Sequence, residues 1–266
     1  MIEYKILTKP EEKILIKKEF LDFFATVYKK ELNENSWYHH IINSPYNNTP
    51  LFIAMQENTI IGSALMILQK CIIEEKKYNY FLFTTSAICK EFRPKGIYAE
   101  LLKIQKEYAK QNNADFIFAF PNKLAYPILK LFGGFKDLKK FNLVKTNFDN
   151  INLENINNSL IIDTNIFNWR FEHKNYKFHI INDSVLVFKD FQDSYDILGI
   201  YKSVDFNFNF IDSLLEKKKN IITLNCYVKK EYNTQVIDTI YTTYFPINKS
   251  IDYSKYNINL LMSDVF

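Results

Sequence analysis

The stretch Glu91-Phe92-Arg93-Pro94-Lys95-Gly96-Ile97-Tyr98 joins an apolar run, residues 80–88, to an amphipathic segment, residues 97–111. In the second segment Ile97, Leu101, Ile104 and Tyr108 recur at helical spacing, while the first has the near-continuous apolar character of a buried strand. Gly96 therefore sits at a strand-to-helix junction, in a chain with only 5 glycines. The missing side chain lets backbone amides approach a ligand, and the positive end of the helix dipole then faces it. Arg93 and Lys95 add cationic donors, and Pro94 stiffens the entry. These residues suit a phosphate-bearing anion. They equally suit ordinary helix punctuation, with Arg93 and Lys95 turned to solvent. The Gly-Lys-Ser/Thr ending of a nucleotide-triphosphate loop is absent, as are the further glycines of a dinucleotide fingerprint.

Working outward, residues 10–32 have a helical pattern, and residues 51–55 and 60–69 read as strands around a polar Gln56-Glu57-Asn58 turn. Residues 114–120 form a strand that stops at Pro121-Asn122, and residues 124–132 a short helix that ends near Gly133-Gly134. The asparagine-rich segment 139–165 marks a domain boundary, and beyond it the order of elements recurs. Trp37 precedes strands 51–55 and 60–68, a third strand, helix 97–111 and strand 114–120. Trp169 precedes strands 177–181 and 184–188, a third strand at 195–201, a helix at 210–218 and a strand at 221–228. The pattern predicts an α/β protein with a mixed (α+β type) sheet, built as two similar domains side by side, 1–150 and 151–266. Only the first half carries an Arg-x-x-Gly loop.

Composition narrows the function classes. The hydrophobic share of 47% supports a substantial core. The net charge of +4 arises from 34 basic and 30 acidic side chains in mixed order, which argues against a nucleic-acid partner and leaves room for a small anion. Cys71, Cys89 and Cys226 stand alone in apolar contexts, as expected in a reducing compartment. The start lacks a secretory pattern and no apolar run reaches membrane-spanning length, so a cytoplasmic location without membrane insertion is expected. No histidine, cysteine and acidic cluster has metal-site spacing, and no metal is expected.

Residues 51–135 resemble the Gcn5-related N-acetyltransferase superfamily. Its Arg/Gln-x-x-Gly-x-Gly/Ala signature appears as Arg93-Pro94-Lys95-Gly96-Ile97-Tyr98, with Tyr98 in place of the final small residue. Asn122-x-x-Ala125 and Gly134-Phe135 also match in order. The resemblance implies acyl-CoA, for example acetyl-CoA, as co-substrate. It places the pyrophosphate on Arg93, Pro94, Lys95, Gly96, Ile97 and Tyr98, the pantetheine arm along Ala87, Ile88 and Cys89, and Asn122 in the same site. The tyrosine that often acts as general acid in the family falls at Leu129, with Tyr126 one turn earlier as a possible substitute.

The segment from Trp37 to Tyr46, with Asn43 and Pro45, resembles one found in larger two-domain members of the superfamily that acylate amino sugars for bacterial surface polysaccharides. This implies direct attack by the primary amine of a nucleotide-linked amino sugar, with the second, degenerate domain contributing to the acceptor site. His39 and His40 are the candidate bases, because neutral histidine is available near pH 7. Backbone donors of strand 83–89 are candidates to stabilise the developing oxyanion. Acylation of a cell-wall precursor, a small amine or a protein remains an alternative, as does a non-catalytic binding module, because Tyr98 and Leu129 both depart from the enzyme pattern.

Overall fold

The computed structural model describes residues 1–73, 76–153, 161–162, 164–171, 176–202, 213, 219–232 and 234–248. Apart from residue 213, the helix expected at 210–218 lies outside the described residues.

Strand β1 (Glu3–Leu7) leads into α1 (Pro10–Leu15) and α2 (Lys17–Tyr28). The chain breaks helix at Ile16, so the single helix expected over 10–32 is two shorter ones. A helical turn α3 (Glu34–Trp37), capped by the Asn33 side chain on the Ser36 amide, widens over Tyr38–Ile42. Then come β2 (Leu51–Gln56), β3 (Thr59–Ile73), β4 (Lys76–Ile88), α4 (Ile97–Gln111), β5 (Phe116–Ala119), α5 (Ala125–Leu131) and β6 (Lys136–Thr146). The second half continues with β7 (Ile161–Ile162), α6 (Thr164–Phe171), β8 (Lys177–Ile181), β9 (Ser184–Phe191), β10 (Ser194–Lys202), β11 (Asn220–Leu224) and β12 (Gln235–Pro246).

The strands form one mixed sheet in the order β1-β2-β3-β4-β5-β12-β6-β11-β10-β9-β8, with β7 added alongside β3. Its middle is the antiparallel β12–β6 pair. Moving outward from that pair, both directions meet an antiparallel neighbour, β5 on one side and β11 on the other. Each neighbour then pairs in parallel with the next strand, β4 or β10. An antiparallel run follows on each side, β4-β3-β2 and β10-β9-β8. The recurrence read from the sequence is thus a repeated strand topology.

The two halves also exchange their last strands. β6 leaves the first half to pair β11, and β12 returns from the second to pair β5. A boundary near residue 150 therefore does not cut the sheet, because residues 243–246 complete the pairing of β5.

Both faces of the first half are covered. On one face α2 buries Phe20, Phe23 and Phe24. On the other, α4 buries Ile97, Leu101, Leu102 and Ala109 at intervals of one to seven residues along its inner side. Coverage on two faces explains why β3 is apolar without alternation over most of its length. Trp37 packs against Phe20 at 5.0 Å between ring centroids, and Trp169 of α6 stacks on His39 at 4.6 Å. The Trp169 indole also donates to the His39 carbonyl at 3.1 Å, so the tryptophan-bearing helical segments of the two halves meet directly.

Candidate functional site

The parallel pairing of β4 with β5 runs only from Tyr80↔Phe116 to Phe83↔Ala119. Beyond it β4 continues to Ile88, while β5 ends and the chain turns through Phe120-Pro121-Asn122 into α5. A gap opens in the sheet where a strand would otherwise lie. β4 is irregular here: its register against β3 shifts between Thr84 and Ala87, and Thr85 has a positive φ of 40°. The gap is the floor of a cleft of roughly 620 Å³. Its walls come from Val27 and Tyr28 of α2, Phe83 to Ile88 of β4, Arg93 and Tyr98 of the loop, and Leu124 to Leu129 around α5.

Alternation along β4 decides what its backbone offers the cleft. The Cys89 amide donates to the Ile61 carbonyl on β3 at 2.9 Å, with Ile88 opposite Gly62. The Ile88 amide and carbonyl therefore point away from β3, toward the gap. Arg93 Nε donates to that carbonyl at 3.3 Å, tethering the guanidinium at the end of the cleft and leaving the Ile88 N–H directed into it. Next in the chain, Gly96 takes φ 71°, and a Cβ placed there would meet nothing within 4 Å. The start of α4, next in the chain after Arg93, has no side-chain cap, so no capping side chain takes the amides at the positive end of the helix dipole. A cationic end, an uncapped helix and an unpaired strand edge thus share one cleft. Such a site fits a long ligand with an anionic head and an amide-bearing arm, which is the chemistry of acyl-CoA.

The residues expected to hold the donor lie in different surroundings. Ala87, Ile88, Arg93, Tyr98 and Asn122 line the cleft. Pro94, Lys95 and Gly96 form the exposed loop beside it, where Lys95 Nζ lies 4.4 Å from the centre of the Phe92 ring. Ile97, the first residue of α4, is fully buried on the inner side of that helix, and Cys89 packs toward the opposite core. Asn122 has a structural duty, since its Oδ1 accepts the amides of Leu124 at 3.0 Å and Ala125 at 2.9 Å and so fixes the start of α5.

The expected catalytic side chains lie elsewhere. His39 and His40 are buried, at 3% and 4% exposure, in a cluster with Trp169. Neither lines the cleft, because the wide turn carrying them packs against α6. Tyr126 is on the far side of α5: its hydroxyl donates to Asp137 Oδ1 at 2.7 Å, and its ring packs on Tyr241 at 4.4 Å. That bond to a carboxylate raises the Tyr126 pKa. The helix faces the cleft instead with Leu124, Ala125, Ile128 and Leu129. Leu129, at the position of the family's acid, brings no proton donor.

Sequence reasoning missed Tyr28, Thr84, Thr85 and Ser86, all of which line the cleft. The run Thr84-Thr85-Ser86 was a usable signal, since three hydroxyl residues interrupt an otherwise apolar strand. Tyr28 is the last residue of α2. Its hydroxyl donates to the Ser86 carbonyl at 3.0 Å, and burial raises its pKa. Burial pushes the Tyr98 phenol up to about 12. The cleft lining comes wholly from residues 27–129, and the described residues of the second half do not join it. Their contribution is β12, which holds β5 at the rim. Among the described residues no three His, Cys, Asp or Glu side chains are grouped to hold a metal ion, and no helix is long and apolar enough to cross a membrane.

No protein-family model matches the chain, and no curated protein matches it in sequence. Solved structures do match in shape. A Gcn5-related N-acetyltransferase from Kribbella flavida superposes with a TM-score of 0.65 at 7% identity, over 93% of this chain and 72% of that one. Eis1 from Mycobacterium abscessus gives 0.59 at 9% identity, over 92% and 73%. A Gcn5-related N-acetyltransferase from Anabaena variabilis gives 0.58 at 7% identity, over 91% and 72%. The likeness spans both halves, and the chain has the acyl-CoA N-acyltransferase fold.

Proposed function

We propose that this chain is an acyl-CoA-dependent N-acyltransferase whose donor and acceptor meet in the β4–β5 cleft. The observation that carries the reading is the gap after Phe83↔Ala119, with the Arg93–Gly96 loop and the uncapped start of α4 at one end of it. Arg93 and the first amides of α4 hold the anionic head, and the Ile88 N–H binds the arm. When bound, the donor supplies an activated acyl thioester. The apolar and aromatic part of the lining, with Val27, Tyr28, Phe83, Phe120 and Leu124, receives the acceptor.

The acceptor is a primary amine, and within that class we favour a nucleotide-linked amino sugar of surface-polysaccharide synthesis. The aromatic lining supports this, since it suits a flat base or a sugar face. With His39 and His40 packed away from the cleft, the ammonium proton leaves through solvent at the open mouth. The rate should therefore climb with pH until the acceptor amine is neutral, without a histidine-like inflection near 6.5. A mass-spectrometric screen tests the assignment, pairing acetyl-CoA and longer acyl-CoAs with amino-sugar nucleotides, peptidoglycan precursors and small amines. An acylated amino-sugar nucleotide supports it. Modification of a peptidoglycan precursor alone would overturn the acceptor class.

A further inference from the structure

Strand β4 and helix α5 give the cleft linings of opposite chemistry. On β4 the polar groups gather: the Ile88 N–H, the Thr84 and Thr85 hydroxyls bonded to each other at 2.8 Å, and the Ser86 carbonyl that accepts the Tyr28 hydroxyl at 3.0 Å. Helix α5 presents none. Ala125, Ile128 and Leu129 stand three and four residues apart on one face of it and line the cleft, while Tyr126 and Lys130 on another face are bonded to Asp137. The backbone at the start of α5 is closed to a polar ligand as well. Asn122 Oδ1 accepts the amides of Leu124 and Ala125, the Asn122 carbonyl accepts that of Tyr126, and Pro127 has no amide. Ala119, the last residue of β5 and the last to pair with β4, adds a further small aliphatic side chain to the lining. Ala119 and Leu129 are buried in the same core cluster as Ile97 and Leu101 of α4, and Ile128 packs against it.

We propose that Ala119, Ala125, Ile128 and Leu129 form an acyl subsite, and that the donor carries a saturated aliphatic chain longer than acetyl. The inference rests on the acyl-CoA reading and names the group transferred. The amides of the donor's arm find partners along β4. An aliphatic chain needs no partner and gains by leaving water, which is what α5 and the end of β5 supply. A single methyl is too small to cover four aliphatic side chains spread over a turn of helix and a strand end, whereas a run of methylenes covers them. An acyl group with a carboxylate or hydroxyl along its length would lose hydration there and find no donor on α5 to replace it.

Calorimetric titration of coenzyme A and of its acetyl, butyryl, hexanoyl and succinyl thioesters into wild type, Ala125→Phe and Ile128→Asn tests the subsite, each affinity being read relative to coenzyme A in the same protein. Wild type should tighten about twofold to fourfold per methylene from acetyl to hexanoyl, the range from half to full burial of each methylene. Succinyl-CoA, with a chain as long as butyryl but ending in a carboxylate, should bind more weakly than butyryl-CoA. Ala125→Phe fills the subsite with a ring and Ile128→Asn makes it polar, so each should flatten the series. Should one variant fail to fold, the other decides the outcome. Thioesters that all bind wild type like coenzyme A would overturn the subsite and leave the donor reading intact, because the aliphatic lining would then serve the arm itself. A gradient that persists in a folded variant, or succinyl-CoA that matches butyryl-CoA, would also overturn it, by placing the chain elsewhere. Wild type that binds none of these ligands would overturn the donor reading and the subsite with it.

Discussion

Replacing Arg93 with alanine removes the only charged side chain that lines the cleft among the described residues. Its guanidinium is tethered through Nε to the Ile88 carbonyl at 3.3 Å, which leaves both Nη nitrogens to bond an anion from a fixed position. A hydrogen bond to a charged group contributes roughly 1.5–3 kcal/mol. Arg93 is exposed, so solvent screening favours the lower end. About 1.5 kcal/mol corresponds to about a tenfold weaker Kd for coenzyme A. The charge term should shrink at high ionic strength, to below about threefold in 0.5 M salt, because the Debye length there is only about 4 Å. Arg93→Lys should fall between wild type and alanine, keeping the charge but losing the planar fork that bonds carbonyl and anion together. Calorimetry at two salt concentrations reads both effects. An alanine variant with wild-type affinity at low salt would remove Arg93 from the donor site.

Other consequences separate structure from chemistry. Gln at His39 or His40, and Phe at Tyr126, should leave coenzyme A affinity and turnover within about twofold, while the histidine variants lower Tm because they disturb the stack on Trp169. A collapse of turnover in a fully folded histidine variant would refute the placement of that cluster outside the chemistry. Gly133→Ala would bring a Cβ within 2.4 Å of the Leu129 carbonyl, a backbone atom that cannot step aside. A cost of about 2 kcal/mol, or about 4–8 °C in Tm by calorimetry, is expected, and an unchanged Tm would deny the tight turn after α5. Lys13 is buried, with Nζ donating to the Ile41 carbonyl at 3.1 Å, and desolvation lowers its pKa from 10.5 to about 8. Below pH 8 it is protonated in both folded and unfolded chains and the burial penalty is constant. Between about 8 and 10.5 only the unfolded chain holds the proton, so wild-type stability should rise relative to Lys13→Met over that window. Thermal melts of the pair from pH 7 to 10.5 check the sign, and a flat difference would refute it.

Where information was local, the sequence carried it. The helix over 97–111 and the strand over 177–181 match the structure residue for residue, since each shows its own period or its own turn boundaries. β6 and β12 were not legible. In β6 the lysines at 136, 139, 140 and 145 break the apolar alternation, and the strand is stabilised by partners nearly a hundred residues away. β12 completes β5 across the whole second half, a pairing that no local pattern encodes. The loop at the end of the cleft was readable because glycine, arginine and helix start fall together in one short run. The burial of His39 and His40 was hidden for the opposite reason: the indole that packs on them lies 130 residues downstream. The place of Tyr28 in the cleft lining was hidden likewise, since it is set by a gap in the sheet that opens only once β4 and β5 diverge.

The central claim is that one of two topologically similar halves binds the donor, at the β4–β5 gap. Hydrogen exchange by mass spectrometry, with and without saturating coenzyme A, addresses it directly. In the second half the parallel β10–β11 pairing also stops early, at Asp196↔Ile222, and β10 is likewise irregular after Ile197. There, however, Leu198, Ile200 and Tyr201 are buried and no Arg-x-x-Gly loop follows. Coenzyme A should therefore slow exchange in peptides spanning 84–98 and leave those spanning 194–202 unchanged. Unaltered exchange across 84–98, or protection confined to 194–202, would contradict the account.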